Sequence, residues 1–413
     1  MTLVILVAWA IRVPPLSDPL GGALPAAWRL HTPLGYAILA PLVTLWDQIA
    51  MLPIGRLTGL LAGLGLLYLG WRVRVRLGNR TRWPRAVLRE LWVLVVAVAG
   101  FVTFILLGLA WHARPVARLA GLGADELTVE IHSHTNASHD VHGFLVAGFD
   151  VAASREWHER SGVDLLFITD HNTTRGWNLF RGDLPLERTQ VCPGIELSVH
   201  GAHVVVLGTP LPESQQPYRG SPEHRARLFA EIAVTPGAVA IASLPEWRNQ
   251  AEQFIAEGVR GFEITSASPK GNELPRAERD SVITLARRHG LFLVGAGDQH
   301  GYGATPMVWN VMRIPGWRTG EGPPCAGVVA QFRSGGPETV QIVERARLRA
   351  DSAPPWILTP LGVLWLAWAT ASVPVVLGWL AWIWAAAWAG AWHRRRQRCR
   401  HEAAVATLVS RRH

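Results

Sequence analysis

The chain has 413 residues, 49% of them hydrophobic, with 20 tryptophans and a net charge of +9. That apolar content excludes an ordinary soluble protein. The apolar residues collect at the two ends and leave a middle of average composition, the pattern of membrane segments flanking one soluble domain. No P-loop, G-x-S-x-G or dinucleotide fingerprint is present.

The first eleven residues are apolar but short, and three readings stay open: a short span, an interfacial helix, or a signal-like segment without its basic start. Next, "PLGYAILAPLVTLW" and "LTGLLAGLGLLYLGW" predict a helical hairpin bent near Pro53. Asp47, Gln48 and Arg56 interrupt it. An intramembrane Asp47 fits a transport path, but a place at the hairpin bend needs no extra assumption. Leu88 to Trp111 is the clearest membrane span, uncharged after Glu90 and matching the ~20 residues that hydrocarbon requires.

Basic residues cluster in two places, Arg72 to Arg89 and Arg394 to Arg400, both beside apolar segments. Nucleic acid is one partner for a basic chain. Membrane topology explains these clusters better, and no specific nucleic-acid partner is inferred. Arginine-rich loops stay inside, so the helix at 88–111 exits and residues from about 113 to 354 lie outside. One re-entry through the apolar stretch Leu361–Trp392, interrupted by Pro374, returns the tail to the cytoplasm. The expected divisions are an N-terminal membrane region (1–115), a soluble domain (124–350), a C-terminal transmembrane segment (356–393) and a basic tail (394–413). The expected location is a bacterial inner membrane, with the domain periplasmic or otherwise extracytoplasmic.

The middle alternates strand-like and helix-like segments. Strand runs are "LTVEIHSH", "VDLLFITDH", "VCPGIEL", "AHVVVLG", "GAVAIASLP", "RGFEIT" and "GLFLVGAGD", with amphipathic helices among them. Repeated β-then-α predicts an α/β fold with a parallel sheet, its functional residues at the C-terminal strand ends. Cys192, Cys325 and Cys399 form no C-x-x-C. Cys192 and Cys325 are expected as packed free thiols, a disulfide requiring an oxidising compartment.

Candidate ligands fall at those strand ends. His132 and His134 close the first strand, and alternation turns both to one face. Asp170 and His171 close the second and Glu196 the third; His203 begins the fourth, and Asp298 and His300 close the last. Unpaired, so many ionisable groups at one mouth would be costly, and divalent cations resolve that cost. A His/carboxylate set without thiolates suits Zn, Mn or Fe. Any one of these histidines alone reads as an ordinary packed residue. Their joint placement defeats that reading. His139, His142 and His200 read as loop residues, with His200 a reserve ligand, and Glu263 fits either support behind the ligands or a solvated rim.

The ordered motifs "HSHTNASHD", "ITDHN", "GIEL", "HVVVLG" and "GAGDQHG", over residues 128–303, resemble the PHP (polymerase and histidinol phosphatase) family. The resemblance implies a distorted (β/α)7 barrel, here flanked by transmembrane helices, around a three-metal centre. It implies metal ligation by His132, His134, Asp140, His171, Glu196, His203, Asp298 and His300, with His139 the rival for the Asp140 place. It also implies Glu196 as a bridging ligand and Asp170 as either a neighbouring support or a bridging partner. One departure stands out: where the family carries His-Pro, this chain has Leu244–Pro245, so one metal is a ligand short. The implied chemistry is metal-dependent phosphoester hydrolysis with two or three divalent ions. Glu196, Asp298 and His300 are the catalytic candidates, and Arg175 and Arg248 the phosphate-gripping candidates. The rivals are an amidohydrolase-like metallohydrolase and a degenerate metal-binding sensory ectodomain.

Overall fold

The computed structural model describes residues 1–76, 83–143, 146–179, 188–209, 220–243, 250–267, 274–319 and 324–410. Its strands, in chain order, begin with β1 (Leu16–Ser17), β2 (Arg29–His31), β3 (Arg118–Ala120) and β4 (Glu126–Glu130). They continue with β5 (Leu165–Ile168), β6 (Gln190–Val199), β7 (Ala202–Gly208) and β8 (Ala238–Ala242). The last four are β9 (Gly261–Ser266), β10 (Phe292–Ala296), β11 (Val308–Arg313) and β12 (Gln341–Arg345).

Ten strands make one sheet in the order β1-β12-β11-β4-β5-β6-β7-β8-β9-β10, while β2 pairs with β3. Strands β4 to β10 correspond to the seven predicted runs. Their near-continuous apolar stretches are buried on both faces, as in "LLFI" of β5 and "AVAIA" of β8. Helices Val151–Arg160, Pro222–Val234, Ala251–Glu257 and Arg276–His289 fall where the amphipathic segments predict them.

The sheet is mixed, where the β-then-α pattern predicts a parallel one. β7 runs antiparallel to both β6 and β8. The cause is local: His200 (φ 46°) and Gly201 (φ 72°) form a two-residue turn between paired Val199 and Ala202. Two left-handed residues in succession make a hairpin, and a hairpin reverses the chain. The reversal brings His203, at the start of β7, to the end of the sheet where the other strands finish.

The architecture is a ten-stranded sheet of mixed direction, curled into a half-barrel. Curling brings the continuation of β10 against that of β4. Asp298 N–H donates to His132 O (2.8 Å), and His134 N–H donates to Gln299 O (3.0 Å). Buried Asn310 on β11 clips the same edges. It accepts from Gly295 N–H (2.7 Å) and donates to the carbonyls of Gly295 (2.7 Å) and Val129 (3.0 Å). The helix Cys325–Ser334, packed against β7 and β8, contributes Cys325 to a disulfide with Cys192 on β6. This corrects the free-thiol expectation: the two Cα atoms stand 5.7 Å apart, inside the range a disulfide bridges.

Among the described residues, three helices are long and apolar enough to cross a membrane: Ile54–Val75, Val87–Ala110 and Val373–Arg400. Pro374 sits in the first turn of the last, where a missing N–H costs nothing. The N-terminal residues do more than precede these spans. β1 hydrogen-bonds to β12. Arg56 donates to the carbonyls of Arg349 (3.1 Å), Ser352 and Pro354 (2.6 Å), securing the chain that leaves the domain.

Asp47 is fully buried in the helix Ala40–Ala50. It accepts from Arg114 Nη1 (2.8 Å), Arg345 Nη1 (2.9 Å), Tyr36 OH (2.8 Å) and Thr305 Oγ1 (3.1 Å). It is a structural hub between helix and domain, not a lone intramembrane charge.

Candidate metal centre

Side chains of β4, β5, β6, β7 and β10, and of the loops that extend them, meet at one end of the sheet. Three overlapping groups of ligand atoms result: His132, His134 and Glu196; His134, Asp140, His171 and His300; and His171, Glu196 and His203. Glu196 is central. Its Oε2 lies 3.1 Å from His132 Nε2, 3.3 Å from His134 Nε2 and 3.1 Å from His171 Nδ1. Its Oε1 lies 3.1 Å from His203 Nδ1. Asp298 Oδ1 adds contacts to His134 Nε2 (3.3 Å) and His132 Nε2 (3.5 Å). Asp140 Oδ2 lies 2.9 Å from His300 Nε2 and 3.1 Å from His171 Nε2.

The donor set fits cations. His132 Nε2, His134 Nε2, His171 Nδ1 and Glu196 Oε2 are buried and have no hydrogen-bond partner among the described residues, although they crowd one another. Each buried polar atom left so costs about 1–3 kcal/mol. Four such atoms facing a common point are what a shared positive ion satisfies. Asp140, His203 and His300 stay partly exposed and form the open side.

The supports behind the ligands are equally definite. Glu263 is fully buried, its Oε1 2.7 Å from His132 Nδ1. Of its two readings, this is support and not a solvated rim. Accepting the proton of Nδ1–H leaves the lone pair of Nε2 for a cation. Asp170 lies outside the three ligand groups. It accepts from Thr135 N–H (2.6 Å) and Thr135 Oγ1 (2.8 Å), holding the loop after His134. Ser138 Oγ donates to Asp140 Oδ1 (2.7 Å) and aims that carboxylate.

The sequence reading missed two residues. Glu130 accepts from His132 N–H and Gly297 N–H, both at 2.9 Å, joining the β4 and β10 ends. Its signal was strand alternation, which places Glu130 on the face of His132. Asn172, left-handed at φ 53°, accepts from Ser198 N–H (2.9 Å), while its own N–H donates to Glu196 O (2.8 Å). Asx residues tolerate that conformation, which also holds Asp298 at φ 43°.

Charge follows from these contacts. Burial alone would lower the pKa of His132, but Glu196, Glu263 and Asp298 outweigh it and raise it well above normal. Burial likewise would raise Glu196, yet His132, His203 and His171 hold it well below the usual range. Asp298 and Asp140 are lowered against their burial by neighbouring histidines. His134, buried beside His300, is pushed down to about 4 and is neutral. His300 rises to about 9 against its burial, chiefly through Asp140. Burial raises Glu130 to about 7 and Asp170 to about 6.

All eight residues singled out as ligands therefore come together. His139 is exposed, its ring 5.0 Å from that of His171, and His142 and His200 are also exposed. His200 Nδ1 is 2.9 Å from Gly220 O, turned to the neighbouring loop. Arg175 begins the short helix Arg175–Leu179 with its side chain exposed. The next residue, Gly176, abuts Asp170 and Thr135, which places that helix beside the site. Arg248 and Leu244 lie outside the described residues.

The chain matches no protein-family model and no curated protein sequence. Among solved structures, PsfC from Pseudomonas syringae is 18% identical, with a TM-score of 0.38, over 59% of this chain and 96% of that one. A protein from Bifidobacterium adolescentis, provisionally described as a metal-dependent phosphoesterase, is 18% identical at TM-score 0.29, over 42% and 88%. An amidohydrolase from Chromobacterium violaceum, solved with bound sulfate and no metal, is 18% identical at TM-score 0.26, over 42% and 87%. At these scores the similarity decides neither fold nor activity, and the geometry of the site carries the functional reading.

Proposed function

We propose that this chain is a membrane-anchored, outward-facing, metal-dependent phosphoesterase of PHP type. The observation that carries the reading is the convergence of orphaned, buried atoms of His132, His134 and His171 on Glu196. His132, His134, Glu196 and Asp298 would hold one ion. Asp140, His171 and His300 would hold a second. The third group, with His171, Glu196 and His203, is a ligand short if Leu244 stands where the family has histidine. Two or three divalent ions (Mn, Zn or Fe) supply, when bound, neutralisation of phosphoryl charge and activation of water.

The protein's own groups do the rest. Glu196 spans the ligand groups and fixes their spacing. Asp298, touching His132 and His134, is placed to accept a proton, while its backbone carbonyl, 2.9 Å from His300 Nδ1, accepts from that ring and orients His300 Nε2 toward Asp140. Arg175 is available at the rim to grip two phosphate oxygens through its guanidinium fork. Arg248 is proposed for the same role. The substrate is a phosphate mono- or diester.

Span parity supports the orientation. β1 pairs with β12, so the segment before the first span lies on the domain's side, and two spans then return the chain there. The loop around Arg72–Arg89 and the tail Arg394–Arg400 fall together on the other side, as the positive-inside rule requires. The Cys192–Cys325 disulfide fits an oxidising compartment for the domain.

The test is hydrolysis by the full-length protein in detergent, loaded with Mn or Zn. Aryl phosphate mono- and diesters should be cleaved, activity should vanish with chelator, return with metal, and be absent in His171→Ala. Hydrolysis of a cyclic amide with no phosphate ester cleaved would contradict the proposal.

A further inference from the structure

The loop that leaves the site descends directly onto a membrane helix. Two residues beyond His300, the Tyr302 ring packs 5.1 Å from that of His112, just past the end of Trp83–Ala110. Gly303 sits against Leu109, close enough that a Cβ would lie 2.5 Å from Leu109 Cδ2. Arg114 Nη2 donates to Ala304 O (2.8 Å), and Asp47 takes the Thr305 hydroxyl. From His300 to Ala304 the chain can reach at most ~14 Å. His300 thus lies within ~14 Å of the point where its loop meets the end of a helix read as crossing the bilayer.

Beneath this loop lies a groove of about 160 Å³, lined by Leu42, Val43, Trp46, Phe104, Leu107 and Trp111 and topped by Arg114. Its walls belong to the helix Ala40–Ala50 and to that span. Gly108 lets the two elements approach, since a Cβ there would overlap the Trp46 ring. Below the groove the same face of the span continues through Ala97 and Gly100, both exposed. The groove's upper end is the residue that grips the site loop. A hydrocarbon chain seated here would present its polar end to the level of His300.

We infer that the substrate is a phosphate ester carried on a membrane lipid, its chain lying in the groove along the packed Trp46 and Phe104 rings while its phosphate reaches the metal centre. This inference rests on the phosphoesterase reading and names its substrate class. The occupant is a hydrocarbon chain, because an apolar groove on a bilayer-facing helix is bathed in lipid and its described lining below Arg114 is Leu, Val, Phe, Trp and Gly.

The test uses full-length protein in nanodiscs with Mn, and three probes: a soluble aryl phosphate, a short-chain (C4) phosphatidate and a long-chain (C16) phosphatidate. The long chain should exceed the short one by about tenfold or more in kcat/KM, from the added buried methylenes. Phe104→Ser with Leu107→Ser should remove that advantage and leave the aryl phosphate rate unchanged. Equal values for the two chain lengths, or an equal fall with all three probes, would overturn the inference. If the wild type cleaves none of the probes, the phosphoesterase reading fails, and photolabelling decides the groove separately. A C16 phosphatidate with a chain diazirine should label residues 104–111 in preference to 91–98 of the same helix. Even labelling along the helix would overturn the groove's role.

Discussion

Glu263→Gln isolates what holds His132 ready. The carboxylate lies 2.7 Å from Nδ1 and is fully buried, so its charge acts on the far ring nitrogen across roughly 5 Å. At an effective dielectric near 20, one unit charge at that distance interacts by ~3 kcal/mol. The amide keeps the volume and removes the charge. It also permits the wrong tautomer, with Nε2 protonated. Relaxation and the amide dipole reduce the full Coulomb figure, and loss of such an outer partner leaves metal affinity down by about 10–100-fold. Competition against a chelating dye, with wild type and variant at the same pH, reads this directly. An affinity within about threefold of wild type, in a variant that melts normally, would refute the tautomer argument.

Other outcomes follow from the same contacts. In chelator-treated protein, His132 and His300 have pKa values raised by their carboxylates, so the stability they add is full below their unfolded value near 6.5. It fades as pH rises, for His300 through about 9, so the melting temperature should fall between pH 6.5 and 9.5, and less steeply in His300→Ala. Asp47→Asn leaves Arg114 and Arg345 buried without their shared counter-charge and should cost about 3–5 kcal/mol, seen as a lower melting temperature in detergent. Gly63→Ala would drive a Cβ into the Ile357 carbonyl and cost ~1–3 kcal/mol, whereas Gly65→Ala, facing open space, should be neutral or stabilising. Thiol titration under denaturing conditions should find one free cysteine, Cys399, and Cys192→Ser with Cys325→Ser should lose ~2–5 kcal/mol; three free thiols would contradict an oxidising location.

The site was legible because strand ends are. A histidine pair at alternate positions, or Asp-His closing an apolar run, states a direction as well as a residue type, and the eight ligand positions meet accordingly. The sheet was less legible. A two-residue turn of non-glycine His200 and Gly201 does not advertise a hairpin, so β7 read as one more parallel strand. β1 and β2, of two and three residues, are too short for any periodicity and sat inside a stretch read as membrane. Asp47 misled for a related reason: a carboxylate in an apolar helix is ambiguous until Arg114 and Arg345, distant in sequence, are known to surround it. Pairing of Cys192 with Cys325 depends on a 133-residue separation closing, which no local pattern encodes.

The central claim is that the histidine–carboxylate cluster holds metal. Its most direct test is elemental analysis of the purified full-length protein beside a His132→Ala, His134→Ala control. The full chain is required, because β1 and Asp47 belong to the folded domain's own contacts. The account predicts two or three divalent ions per chain, sharply reduced in the control. One ion or none, after incubation with excess Mn or Zn, would contradict it.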